Sequence, residues 1–192
     1  MDPRDDNHCI NEVIAGNTVS FAKLIDRHKD LVFTIAMNIT RNREDAEEVA
    51  QDVFLKAFQK LAGFRKESSF PTWLYRIAYN EAITKVRKNR IKTMDLEEEI
   101  MEIIPEEEVE EDIAGMDEQE QKQVITKILD KLPEIDRVLV TLFYLNNHPV
   151  NEICEVTGLG ESNVKVRLHR VRKKIYTELQ EILKKKALGI IL

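Results

Sequence analysis

Apolar residues recur along most of this chain at three- and four-residue spacing and almost nowhere in alternation, which predicts helices throughout. A first helix is expected over Asn7–Ala15, with Ile10, Val13 and Ile14 inward, until Gly16-Asn17 breaks it. Thr18 or Ser20 is placed to cap a second helix running to about Ile39. After a turn at Thr40–Asn42, Ala46, Val49, Ala50, Val53, Ala57 and Leu61 form the buried stripe of a third helix, Glu44–Leu61. Gly63 stands where a helix-ending residue belongs. Phe64–Phe70 reads as a loop, and Pro71 suits the first turn of a fourth helix that reaches about Arg90 through Trp73, Ile77, Ala78, Ala82 and Val86. Four such helices make a small lobe. A second lobe begins near Lys122, restarts at Pro133 and turns at Asn146–Pro149. The expected fold is all-α: two small helical domains, 1–92 and 122–192, joined by a linker over 93–121.

The stretch from Pro149 to Tyr176 carries the sharpest signal. A short helix meets a turn in which Gly158 and Gly160 flank Leu159, and a longer basic helix follows. That is the helix-turn-helix pattern. Val164, Leu168, Val171 and Ile175 share one stripe of the second helix. Ser162, Val166, His169, Arg170 and Lys173 point roughly the other way, with Asn163 and Lys165 at the borders. From Ser162 to Ile175 there are six Lys or Arg, Arg167 among them, and no acid. Such a face suits a DNA major groove. Arg170 can pair with guanine, Asn163 and His169 can reach base edges, and Val166 can meet a thymine methyl. Arg172 to Lys174 suit phosphates.

Charge changes the picture. The chain has 29 bases and 35 acids, a net of −6. Thr93–Gln121 holds 14 of those acids and no Lys or Arg; taking 14 from 35 leaves 21 acids against 29 bases, a net of +8. Two basic lobes are thus joined by an acidic strap. The strap also carries Ile100, Met101, Ile103, Ile104, Val109, Ile113 and Met116, so it reads either as a repelling linker or as a segment that orders against a basic groove.

Catalytic chemistry finds no foothold. Asp45, Glu48 and Asp52 on the third helix lack the Glu-x-x-His partner of a di-metal site, and the histidines and cysteines lack zinc spacing. No phosphate loop, nucleophile elbow or dinucleotide turn occurs, so no enzyme, cofactor, metal or small-molecule substrate is expected. No apolar run near 18 residues occurs, which argues against membrane insertion. Cys9 and Cys154 read as reduced thiols of a cytoplasmic protein. The fourth helix and its approach mix aromatics with bases: Phe64, Phe70, Trp73, Tyr75 and Tyr79 beside Arg65, Lys66, Arg76 and Lys85. That mixture suits single-stranded nucleic acid, though core packing explains it as well and Trp73 shares the buried stripe.

With both lobes laid out, the chain resembles a sigma-70-type sigma factor of the extracytoplasmic-function group. Glu44–Lys88 resembles its region 2 and Leu132–Ile175 its region 4, with region 3 absent. The resemblance implies a cytoplasmic sigma factor that binds core RNA polymerase, by its clamp coiled coil and flap, and directs promoter-specific initiation. Asp45, Glu48, Gln51, Asp52 and Lys56 would dock on the polymerase. Phe64, Arg65, Lys66, Ser68, Ser69 and Phe70, with Tyr75, Arg76, Tyr79, Asn80 and Lys85, would recognise and melt the −10 element. Phe64 and Asn80 match the family's base-pocket positions. The recognition helix, with Lys165, His169 and Arg170 at its main contact positions, would bind the −35 element. Val166 replaces a small residue common in the family, and Gly160 a proline. The resemblance further implies that the strap threads the polymerase's RNA path as a nucleic-acid mimic, and that an anti-sigma factor holds the protein. The competing readings are a conventional helix-turn-helix regulator acting as a dimer, and an adaptor whose basic lobes hold an acidic protein.

Overall fold

The computed structural model describes residues 3–89 and 128–187, all helices and turns. Helices α1 (Pro3–Ile14), α2 (Ser20–Thr40), α3 (Arg43–Lys60) and α4 (Phe70–Asn89) build the first lobe. Helices α5 (Glu134–Val140), α6 (Val150–Thr157) and α7 (Glu161–Ala187) build the second, preceded by a helical turn at 128–130. The expected domain limits and the acidic strap lie outside the described residues.

Local chemistry sets the helix ends. Asn42 is extended and its Oδ1 accepts from the Asp45 N–H at 2.8 Å, a side-chain cap for α3. Neither Thr18 nor Ser20 caps α2. Ser20 is instead buried as its first residue and donates to Glu12 Oε2 at 2.6 Å, tying α2 back to α1. α3 tightens into a 3₁₀ turn, Leu61–Gly63, in which Gly63 needs no left-handed backbone. Ser69 takes the capping role for α4, accepting from the Thr72 N–H at 3.3 Å.

One apolar core runs through both lobes. Leu24, Ile35, Ile39 and Leu74 of the first belong to the same buried cluster as Leu139, Leu142, Ile153 and Val164 of the second. Each fully buried aliphatic side chain contributes about 1.5–3 kcal/mol relative to exposure. α4 packs on α2 and α3 on one side and on α6 on the other. Two smaller clusters, Leu132 with Val140 and Val171, and Ile128 with Leu179 and Ile182, hold the later turns of α7.

The seam between lobes is polar at its rim. Asn38 Nδ2 donates to Thr141 Oγ1 at 2.8 Å, and Arg41 Nη2 donates to the Leu132 carbonyl at 2.8 Å. Arg137 donates to the Asn38 carbonyl in the last turn of α2, where unpaired carbonyls and the helix dipole favour a cation. Arg137 is 4% exposed, and its Nε has no hydrogen-bond partner. Burial, with Arg41 nearby, pushes its pKa below the ordinary value. Thr141 opens a π-helical turn, Thr141–Leu145, that leaves Tyr144 and Leu145 exposed.

Candidate nucleic-acid interface

The turn before α7 is built by Gly158, whose φ of 75° is left-handed and whose N–H donates to the Cys154 carbonyl at 2.8 Å. Thr157 Oγ1 donates to Ile153 O at 2.8 Å and accepts from the Leu159 N–H at 3.3 Å, which fixes the exit from α6. Gly160 has no positive φ. Val164, Leu168 and Val171 of α7 are buried as the spacing predicts, and Ile175 is half-buried. Ser162, Asn163, Lys165, Val166, His169 and Arg170 are exposed, and Lys173 is half-buried. Val166 is 45% exposed amid these polar residues.

Arg167 departs from its expected place on the groove face. It is half-buried, donating through Nη1 to Asp136 Oδ1 at 2.9 Å and through Nε to Asn163 Oδ1 at 3.0 Å. Lys165 pairs with Glu161 at 2.6 Å one turn back, and that hydrogen bond lowers the Glu161 pKa.

In the first lobe, Phe64, Phe70 and Trp73 form an aromatic cluster with ring centroids 5.0–6.0 Å apart. Phe70 and Tyr75 are buried, unlike surface contacts for DNA. Tyr75 OH meets His28 Nδ1 at 3.0 Å, and fully buried His28 meets Asp6 Oδ2 through Nε2 at 2.9 Å. Burial raises the Asp6 pKa, but hydrogen bonds from His28 and Arg27 outweigh it and leave it below the ordinary value. Burial pushes Tyr75 up. The Tyr75 ring also lies edge-on to His148 of the second lobe, centroids 5.5 Å apart. Beside it a crevice of about 540 Å³ opens between the lobes.

The loop residues Arg65 and Lys66 are exposed, while Phe64, Ser68 and Ser69 are half-buried. Lys66 sits at φ 57° and donates to Asn11 Oδ1 at 3.2 Å. Arg76, Asn80, Ile83 and Arg87 are exposed at i, i+4, i+7 and i+11, one open stripe of α4. Tyr79 is half-buried and its pKa is raised by burial. Lys85 lies half a turn away from that stripe and reaches α3, 2.6 Å from Glu48 Oε2 and 3.3 Å from Asp45 Oδ1. The Glu48 hydrogen bond raises its pKa. Lys85 therefore braces α4 on the face expected to meet polymerase. Lys56 of α3 returns the arrangement by pairing with Glu81 of α4. Gln51 and Asp52 remain exposed, with exposed Leu55 and Phe58 alongside.

Sequence reasoning missed the seam residues Asn38, Arg41, Arg137 and Thr141. The available signal was Arg137 itself, a base immediately before the apolar run Val138–Val140. Among the described residues no group of His, Cys, Asp or Glu could hold a metal ion, and no helix is long and apolar enough to cross a membrane.

Comparison with known proteins matches residues 24–91 to the family model of sigma-70 region 2 and residues 122–175 to that of sigma-70 region 4. The chain is 29% identical over 182 residues to the ECF RNA polymerase sigma factor SigW of Bacillus subtilis, covering 90% of this chain and 96% of that one. It is 28% identical over 188 residues to the ECF RNA polymerase sigma-E factor of Escherichia coli, covering 94% and 97%. Its fold is that of CnrH, solved in complex with the cytosolic domain of CnrY, at TM-score 0.65 and 22% identity over 92% of this chain and 98% of that one. It is also that of RpoE, solved with the anti-sigma factor NepR from Bartonella quintana, at TM-score 0.61 and 19% identity over 83% and 96%.

Proposed function

The chain belongs to the extracytoplasmic-function group of the sigma-70 family, and we propose that its two lobes divide promoter recognition between them. It is a sigma factor, a transcription initiation factor that works with core RNA polymerase. α7 reads the −35 element as duplex, through Arg170, His169, Lys165 and the residues around them. The loop before α4 and the open stripe of α4, Arg76 and Asn80, engage the −10 element and hold its bases once unpaired. The exposed face of α3, with Gln51 and Asp52 at its centre, docks on the polymerase. Acting on polymerase puts the protein in the cytoplasm, and no side chain is assigned a catalytic role.

The observation that carries this reading is the pair of sigma modules, region 2 then region 4, in one chain. A conventional helix-turn-helix regulator leaves the first of them unexplained. Reading two separated elements requires the lobes to part at their seam, so the compact arrangement is that of the unbound protein. A structural relative solved with an anti-sigma factor supports a protein inhibitor here as well.

Run-off transcription with core bacterial RNA polymerase on a promoter library tests the reading. Discrete new starts sharing two upstream elements are expected when the protein is added. No new starts, together with duplex binding by the protein alone, would return the assignment to a conventional regulator.

A further inference from the structure

Asp136, Arg167 and Asn163 form a chain of side chains that ends on the outer side of α7. Asp136 stands on α5 with its side chain 14% exposed, so the anchor is held by the packing of α5 against α7. Arg167 links it at 2.9 Å to Asn163 at 3.0 Å. A guanidinium carries only donors. The atom of the Asn163 amide that faces it must therefore be the carbonyl oxygen, and the NH₂ end points elsewhere. The amide of Asn163 is not free to turn over.

We propose that Asn163 is a specificity-determining residue that selects guanine, and that Arg167 and Asp136 are the positioning residues behind that choice. The proposal rests on α7 being the promoter-reading helix. Asn163 is exposed in the first turn of α7, and the N-terminal residues of a recognition helix are those that meet base edges. At 100° per residue it lies about 60° round the helix from Val166, at the border of the outer face. An unconstrained asparagine reads adenine, its oxygen accepting from the N6 amino group and its nitrogen donating to N7. Here Arg167 Nε takes one of the oxygen's two lone pairs and turns that oxygen toward the guanidinium, so a base amino group reaches it only past the guanidinium's own hydrogens. That disfavours adenine and cytosine. The donor end of the amide remains, and guanine alone presents two adjacent acceptors, N7 and O6, in the major groove. Thymine offers one.

The test uses holoenzyme assembled from the full chain and core RNA polymerase on a library randomised across the upstream element. The native protein is expected to select guanine at one position that Asn163→Ala flattens by about 5- to 150-fold, with the other positions unchanged. Arg167→Met frees the amide to turn and is expected to raise adenine against guanine there by about tenfold, with Asp136→Asn moving the same ratio less. A merely structural role would lower output at all positions together. The proposal is overturned if Asn163→Ala alters no single position, if the base it releases is not guanine, or if Arg167→Met lowers output uniformly without admitting adenine. Should Arg167→Met not fold, Asn163→Ala, a truncation at an exposed position, decides alone. Failure of the sigma assignment looks different, because the native protein then yields no new starts at all.

Discussion

Asn38 donates its side-chain amide to the hydroxyl of Thr141 at 2.8 Å, joining residues 103 positions apart and binding the end of α2 to the start of the π turn. The bond holds the lobes together yet hides neither face proposed to meet DNA: Arg76 and Asn80 on α4, and His169 and Arg170 on α7, all remain exposed. The seam thus constrains how far apart the two proposed DNA faces can stand, and leaves each one accessible.

Thr141→Val keeps the shape of the side chain and removes the hydroxyl. The lost bond is expected to cost the seam about 1 kcal/mol, near a fivefold shift toward parted lobes. Energy transfer between dyes at exposed positions 62 and 155 of the free protein reports it, and unchanged transfer counts against the seam as described.

Asp6 gives the first lobe an acid limit. Its pKa is lowered in the fold, below the ordinary 3.8. A depressed carboxyl contributes stability that is fully present above the unfolded value and fades as pH falls through the folded one. Asp6→Asn is therefore expected to lower stability by about 2 kcal/mol near neutrality. The gap to the native protein should close below pH 3.8. Thermal melts from pH 7 to pH 3 measure it; a gap independent of pH would remove Asp6 from that role.

Two glycines in one turn should behave differently. Gly158 has a φ of 75°, so Gly158→Ala is expected to destabilise by about 1–2 kcal/mol. Gly160 has no positive φ and open space at its Cβ position, so Gly160→Ala should be nearly neutral. Denaturant unfolding of the two variants side by side distinguishes them, and equal losses would show that the left-handed turn is not what matters.

On promoter DNA, Arg170→Ala is expected to relax one upstream position by about 1–3 kcal/mol of discrimination. Lys174→Gln should weaken all sequences alike and reduce the salt slope of binding by about 1. Holoenzyme binding titrated against salt on matched and mismatched promoters separates the two roles. Similar base-specific losses from both would argue that Lys174 meets a base edge.

Much of this was legible in the chain. Periodicity located α2, α3, α4 and the helix-turn-helix because each has a continuous apolar stripe, and Gly158 announced its turn because few other residues adopt that backbone. Side-chain direction across elements was not legible. Lys85 looked like a DNA contact because it follows other bases on α4, but the helix turns it toward Asp45 and Glu48. Arg167 counted toward a basic face until Asp136, from a helix some thirty residues earlier, claimed it. Phe70 and Tyr75 are apolar enough for either the core or a base stack, and only packing against His28 settles them inside. The contact of one lobe with the other left no periodic trace, since it depends on single residues such as Asn38 and Thr141.

Arg137 gives that contact a built-in ceiling. A buried N–H without an acceptor costs about 1–3 kcal/mol, a handicap that exists only while the lobes are together and vanishes when water reaches the guanidinium. Replacing Arg137 by methionine would lift that handicap and at the same time remove the hydrogen bond to the Asn38 carbonyl, so the two effects oppose each other. The native arginine thus offsets part of what the apolar core shared by the two lobes contributes to holding them together.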